Sequence, residues 1–375
     1  MRDNLEKLWD ELGAKRGHDL AMIVGMDGFV DEILHVVDVR RDIGRFDRIA
    51  TLGAFGRRIV RAAGLSTNME MVPVQVRAGG NVSYLAAALS SYGVRVTYIG
   101  AFGDPIHPVF RDIADRAEKV YSLTDPGRNL AFEFDDGKLM VLEPDIFKEI
   151  TWERIKEVVG PPEVIAAMID KSDLFSLLDW SLVFNQNRNM RCIIDEVFPL
   201  LAERPVKPIA FFDLSDPEKR TREDILEGMH LIGRFEQKFR TILGLNEKEL
   251  YQIAGAFGIK PDGLRGTTRA LYHKMGIYCV VAHPVKEAFC CIGNEIYHVD
   301  GPYCEKPLTT TGAGDTFNSG FCLGQALGLD ALSSLTLGVC ASGFFVRKAR
   351  SASYDELMGF VKEWIDAGSA TSIDQ

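Results

Sequence analysis

Thr309-Thr310-Thr311-Gly312-Ala313-Gly314-Asp315-Thr316-Phe317-Asn318-Ser319-Gly320-Phe321 is a small-residue turn that runs directly into an apolar stretch. Small side chains at 312 to 314 let the backbone turn sharply and present its N–H groups outward. Phe317, Phe321, Leu323, Ala326 and Leu327 give the following residues helical character, so those N–H groups stand at a helix N-terminus, which binds anions and phosphate above all. Asp315 is out of place in such a nest, because its carboxylate repels the anion. A carboxylate kept there fits a base that takes a proton from an attacking hydroxyl. The plain alternative is a glycine-rich turn with an N-capping Asp. On the first reading this is a phosphoryl-transfer site, in which Gly312, Ala313 and Gly314 offer backbone N–H groups to the charge developing on the transferred group.

Outward from this stretch, apolar runs that suit buried parallel strands alternate with amphipathic ones, the pattern of a layered α/β fold. Strands are expected at Leu20–Val24, Val94–Ile99, Leu174–Leu178, Ile209–Phe212, Thr241–Leu243 and Tyr278–Ala282. Helices are expected at Asn81–Ser91, Pro108–Arg116, Met190–Ala202, Arg222–Arg234, Glu247–Ala256, Leu264–Lys274, Asp315–Ala326, Ala331–Ala349 and Tyr354–Ala367. Residues 130–142 read as a hairpin closed by Asp136-Gly137, and the strand-like segments Phe29–Val39 and Met71–Arg77 complete a small separate sheet.

The chain has 375 residues, 46% of them hydrophobic, and a net charge of −10, which argues against a nucleic-acid or membrane-surface binder. Its seven cysteines (192, 279, 290, 291, 304, 322, 340) show no metal-ligand spacing and read as reduced thiols, mostly in apolar runs. Met1 to Arg16 are charged and helical in pattern, so no secretory or membrane-spanning segment is expected and the cytoplasm is the expected compartment.

Met26-Asp27-Gly28-Phe29-Val30-Asp31 follows the first strand, at the end where open α/β sheets bind ligands. Asp27 and Asp31 suit the hydroxyls of a polyol through charge-assisted hydrogen bonds, or one of them caps the turn. Gly79 and Gly80 let the backbone approach a bound sugar, and Asn81 either caps the next helix or bonds a hydroxyl. Asn246 and Glu249 stand one turn apart at a helix start, where a solvent-facing cap pair is the simpler reading.

Three of these elements together resemble the ribokinase-like (PfkB) carbohydrate kinases: Thr311-Gly312-Ala313-Gly314-Asp315, Gly79-Gly80-Asn81 with Gly93 to Asp104, and Asn246-Glu247-Lys248-Glu249. The resemblance spans roughly residues 20 to 350 and implies one domain over 1–375. Its fold would be a three-layer Rossmann-like α/β sandwich with a small β-sheet lid, formed by excursions at about 29–40, 71–78 and 129–143. A sugar kinase using ATP and Mg²⁺ is the implied activity, with Asp315 as base. By the same resemblance Asp31 and Asp27 grip the acceptor, Asn246, Thr311, Gly312 and Gly314 contact phosphates, and Glu249 organises Mg²⁺ through water. Exposed lid edges invite a homodimer.

Departures from the family pattern are local. Glu218 replaces an Asn in the Asp216-Pro217-Glu218-Lys219-Arg220 element, and Asp213 competes with Asp216 as the strand-end residue. Asp179, Trp180 and Asn185 lie after the preceding strand, where a substrate could be reached, but a surface loop is the favoured reading for them. Residues 280–288 lack the usual Val-Thr-x-Gly pattern, His283 reads as a core or loop histidine with no chemical duty, and near Cys340 the Asn that often faces adenine is missing. A nucleoside kinase, with Phe29, Phe132 and Phe134 as platforms for a base, is the alternative enzyme. A sugar-binding regulator with weak or lost kinase activity is the alternative of another class.

Overall fold

In the computed structural model, residues 2–15 and 19–368 are described. Fourteen strands follow in chain order: β1 (Ala21–Gly25), β2 (Phe29–Arg40), β3 (Phe46–Arg48), β4 (Met71–Gly79), β5 (Arg95–Ala101), β6 (Lys119–Thr124), β7 (Gly127–Phe134), β8 (Gly137–Glu143), β9 (Leu174–Leu177), β10 (Ile209–Asp213), β11 (Arg240–Leu245), β12 (Cys279–Ala282), β13 (Glu287–Ile292) and β14 (Glu295–Asp300). Nine of them form one sheet in the order β14-β13-β12-β11-β10-β9-β1-β5-β6. The strands from β12 to β6 are parallel, and β13 and β14 add an antiparallel hairpin at one edge. From β1 the chain builds outward through β5 and β6, then returns to build the other way from β9. The strand order therefore reverses between β1 and β9, which opens a crevice at the carboxyl ends of the strands.

Parallel strands are covered on both faces, which is why their sequences are continuous apolar runs rather than alternating ones. On one face Leu85, Leu89, Phe321, Leu335 and Val361 pack from helices Asn81–Ser91, Ala313–Ala326, Ala331–Lys348 and Tyr354–Asp366. Opposite them lie Trp152, Ile165, Ile232 and Ile253 from helices Trp152–Val158, Pro162–Ile169, Arg222–Arg234 and Glu247–Ala256. The result is a three-layer α/β/α sandwich. Helix Arg2–Ala14 buries Leu5, Leu8 and Leu12, and Tyr354 fixes its end by donating its hydroxyl to Leu12 O at 3.0 Å.

The smaller sheet has the order β3-β2-β7-β8, with β4 also paired to β2. Leu34, Val36, Phe132 and Phe134 on its inner face meet Phe55 of helix Leu52–Arg61, making a third, separate core. The expected helix Met190–Ala202 is the main regular element that differs. Helix Gln186–Cys192 passes into a wide turn at Ile193–Val197 and a tight one at Phe198–Leu200, because Pro199 has no N–H to continue the ladder. Elements not foreseen include helices Leu52–Arg61, Trp152–Val158 and Pro162–Ile169, strands β3 and β6 and the β13–β14 hairpin. All seven cysteines are free thiols, and no described helix is long and apolar enough to cross a membrane.

Candidate active site

Five parallel strands each place one polar side chain at or just beyond their carboxyl end. Asp27 follows β1, Asp179 follows β9, Asp213 ends β10, Asn246 follows β11 and His283 follows β12. Helix Ala313–Ala326 faces this row and carries Asp315 in its first turn. Gly312 caps that helix at φ +90°, and a Cβ there would lie 2.5 Å from the Tyr84 ring, so both backbone and space require glycine. The Ala313 N–H donates to Thr310 O at 3.2 Å. Of the three backbone donors expected in the turn, this one is engaged by the loop itself.

Three adjoining cavities share walls along the row. One of about 350 Å³ is largely apolar, lined by Val285, Pro302, Tyr303, Phe317, Val339 and Val346. The second, of about 400 Å³, is acidic, with Asp213, Asp216, Glu249 and Asp315 in its wall. A third of about 190 Å³ is lined by Asp31, Tyr84, Asn129, Met140, Leu142 and Asp179, again with Asp315. Asn246, His283 and Gly314 border the first two, while Asn81 and Asp315 border the last two. Thr311 and Gly312, expected at the phosphates, line the third cavity, and Lys138 of β8 donates to Thr311 Oγ1 at 2.7 Å.

Around the third cavity several polar atoms are buried without partners: the Tyr84 hydroxyl, Asn129 Oδ1, Asp179 Oδ1 and two nitrogens of the neighbouring Arg77. Asn129 Nδ2 donates to Asp31 Oδ1 at 2.9 Å, which holds that buried carboxylate in place. A mixed set of unsatisfied donors and acceptors is what a polyhydroxyl ligand completes.

The geometry revises several expectations. Asp27 lends both oxygens to the start of helix Asn81–Ser91, accepting Asn81 N–H and Val82 N–H at 2.9 Å each, and it lines none of the three cavities. It acts as a remote N-cap. Gly79 and Gly80 make room for carboxylates, since Cβ atoms there would lie 2.1 Å from Asp31 and 2.3 Å from Asp27, and Gly80 also lines the third cavity. Asn81 is not a cap either. Its Nδ2 donates to Asp213 Oδ1 at 2.6 Å, and Asn318 Nδ2 donates to the other oxygen at 2.8 Å. Asp213 is thus the strand-end carboxylate, and Asp216 sits on the turn beyond, paired with Lys248. Arg220 lies against Trp180 and Asp224, outside the cavities.

Asn246 and Glu249 do cap each other reciprocally, but Glu249 is buried and faces the acidic cavity rather than solvent. Asp179 and Trp180 are not surface residues: both are 1% exposed, and Asp179 is held at φ +53°. Asn185 donates to Lys148 O on the outer side. Cys340 is buried in the core, and Ser342 and Gly343 of the same helix line the apolar cavity instead.

So many carboxylates in one crevice hold protons tightly. Burial pushes Asp315 well above the ordinary carboxylate range, and Asp213 and Asp179 add to the shift. Solvent still reaches Asp315 through the cavities, but protein surrounds it elsewhere. Asp213 is raised by burial to about 6, and its N–H partners limit the rise. Burial likewise raises Asp179, to about 7. A raised folded-state pKa means that the unfolded chain gives up this proton first, so stability from Asp179 is complete below pH ~4 and is lost as pH rises through about 7. Asp179→Asn removes that loss, and Asn tolerates a positive φ. In the ligand-free protein the variant is expected to melt higher than the parent at pH 8, with the advantage much reduced at pH 5. Equal melting at both pH values would show that ionised Asp179 is not destabilising.

Comparison with known proteins bears on the fold and the family. The sequence profile of the prokaryotic ketohexokinase family matches residues 3–364. Ketohexokinase of Haloferax volcanii is 28% identical over 347 residues, 92% of each chain. Solved structures with this fold include ribokinase of Thermotoga maritima, with a TM-score of 0.61 at 16% identity over 92% of this chain and 99% of that one. Arabidopsis thaliana ribokinase, complexed with ribose and ATP, has a TM-score of 0.62 at 16% identity over 92% and 98%. The nucleoside kinase of Methanocaldococcus jannaschii reaches 0.60 at 12% over 92% and 98%. The chain belongs to the prokaryotic ketohexokinase family, and is a ribokinase-like (PfkB) carbohydrate kinase, a phosphotransferase with an alcohol group as acceptor.

Proposed function

We propose that the chain transfers the γ-phosphoryl group of ATP to a hydroxyl of a ketohexose, with Asp315 as the general base. The observation that carries this reading is the position of Asp315 in the wall common to the acidic and the polyol-like cavities, beside the Gly312–Gly314 turn. A hydroxyl held by Asp31 gives its proton to Asp315 while its oxygen attacks the γ-phosphorus, and ADP leaves on the opposite side. The helix N-terminus at Gly314 stabilises the charge spreading over the transferred oxygens. Adenine and ribose are assigned to the apolar cavity, and the phosphates to the acidic one.

An acidic cavity that receives a polyphosphate needs a cation. Its donors, Asp213, Asp216, Glu249 and Asn246, are all oxygen donors, the set that suits Mg²⁺. One Glu249 oxygen is taken by the Asn246 N–H at 2.9 Å, which leaves the other to hold the ion through water. Bound there, Mg²⁺ would neutralise charge on the phosphates.

The smaller sheet supplies Asp31, Asn129, Met140 and Leu142 to the acceptor cavity and so acts as its lid, excluding water that would compete for the phosphoryl group. A nucleoside acceptor is less well served, because Phe132 and Phe134 pack into the third core and only Phe29 of those three rings lines the cavity. Val74, Val76 and Val141 are exposed on the lid, and we assign this face to pairing with a second copy. Light scattering should give twice the chain mass, and Val76→Glu should halve it; a monomeric parent refutes the pairing. The free thiols agree with a reducing cytoplasm.

Steady-state assays with ATP, Mg²⁺ and a panel of ketohexoses, aldohexoses, ribose and nucleosides test the function. Highest kcat/KM is expected with a ketohexose, and preferred turnover of a nucleoside or an aldose would replace this reading.

A further inference from the structure

His283 occupies the last place in the row of strand-end residues, in the segment where the sequence departs from the family pattern. Its backbone N–H donates to Leu245 O at 3.0 Å, which anchors it beside Asn246. The ring leans on Phe317, with centroids 5.0 Å apart at 32°, and its Cε1 would stand 3.1 Å from a Cβ at Gly314. The imidazole is thus wedged between the end of β12 and the anion-binding turn. Nε2 is buried and has no hydrogen-bond partner. An orphaned buried nitrogen is costly unless a ligand completes it.

The ring also borders both the apolar cavity and the acidic one. Any ligand that extends from one to the other passes against it. Burial lowers its pKa to about 4, so at neutral pH the ring is uncharged, with one N–H donor and one lone-pair acceptor. Such a ring selects by direction, as a hydrogen-bond partner for a hydroxyl or an ester oxygen, and not as a cation for phosphate.

We propose that His283 is a nucleotide-binding residue that grips the donor where its ribose joins the first phosphates. This rests on the ATP-donor reading above and assigns a task to a residue that the phosphoryl-transfer step does not use. Asn246 and Gly314, which share the same wall, flank the grip on either side.

The test is calorimetric titration of the intact protein with ADP, AMP and adenosine, using the parent, His283→Phe and His283→Gln. Phe keeps a ring against Phe317 and removes only the nitrogens. The dissociation constant for ADP is expected to rise about tenfold in the Phe variant, the loss of roughly one hydrogen bond. Adenosine should lose less, KM for the sugar should not move, and kcat at saturating ATP should stay within about threefold. Gln, which restores a donor and an acceptor, should recover part of the ADP affinity. Ligand-free melting of the Phe variant should be no lower than the parent's, since no orphaned nitrogen remains buried. Unchanged ADP binding in His283→Phe, with normal binding in the parent, overturns the role of His283 alone. A parent that binds no adenine nucleotide overturns the donor reading and this proposal together.

Discussion

Asp315→Asn is expected to lower kcat by about 10²–10⁴, the usual loss when a positioned general base is removed. The amide keeps the size and shape of the carboxyl but is too weak a base to take the hydroxyl proton. Sugar affinity should change little, because on the proposed reading Asp31, Asn129 and Tyr84, which line the same cavity, hold the acceptor. Burial and the neighbouring Asp213 and Asp179 raise the parent's Asp315, so the parent's kcat/KM should fall on acidification at a pH above the ordinary carboxylate range. Stopped and continuous assays from pH 5 to 9 would show both effects. A variant with near-parental kcat would remove Asp315 from the chemistry.

Asp31→Ala is expected to weaken sugar binding by about 2–4 kcal/mol, or roughly 30- to 1,000-fold. The bound hydroxyl loses a charged acceptor, whereas the Asn129 amide, which donates to Asp31 Oδ1, loses its partner with or without sugar and so costs stability rather than affinity. Binding of ADP should be nearly untouched, since Asp31 lines only the acceptor cavity. Separate titrations with sugar and nucleotide decide the matter. Equal losses for both ligands would indicate a damaged fold instead of a damaged contact.

The sheet was largely legible from the chain because parallel strands must be apolar on both faces. Ile209–Phe212 and Tyr278–Ala282 need no neighbour to be recognised, and helices Arg222–Arg234 and Glu247–Ala256 carry their own caps, Thr221 and Asn246. Elements with weaker local signals escaped. Strand β6 is an edge strand with mixed burial, and helices Trp152–Val158 and Pro162–Ile169 are too short for a periodic pattern. In the site, the glycine-rich turn was readable because it is contiguous. Tyr84, Asn129 and Lys138 were not, since nothing local distinguishes them before the sheets bring them together. Asp179 did have a signal: it directly follows an apolar strand, the same position that drew attention to Asp27.

The reversal of strand order between β1 and β9 also divides labour along the chain. Asp31, Tyr84, Asn129 and Leu142 of the third cavity precede β9, although Asp179, Leu182, Thr311 and Gly312 join them from later in the chain, whereas Asn246, His283 and the lining of the apolar cavity all follow β10. Asp315 closes the sequence of parts by standing where the two halves meet. The apolar cavity and the third cavity share no lining residue, so each can diverge without altering the other's wall. On the proposed reading, exchanges in β2, β7 and β8 alter what receives the phosphoryl group, and exchanges around the apolar cavity alter what gives it. An unusual donor segment such as 280–288 can then coexist with an ordinary acceptor pocket. A change of sugar worked through β2, β7 and β8 would likewise leave the wall of the apolar cavity untouched.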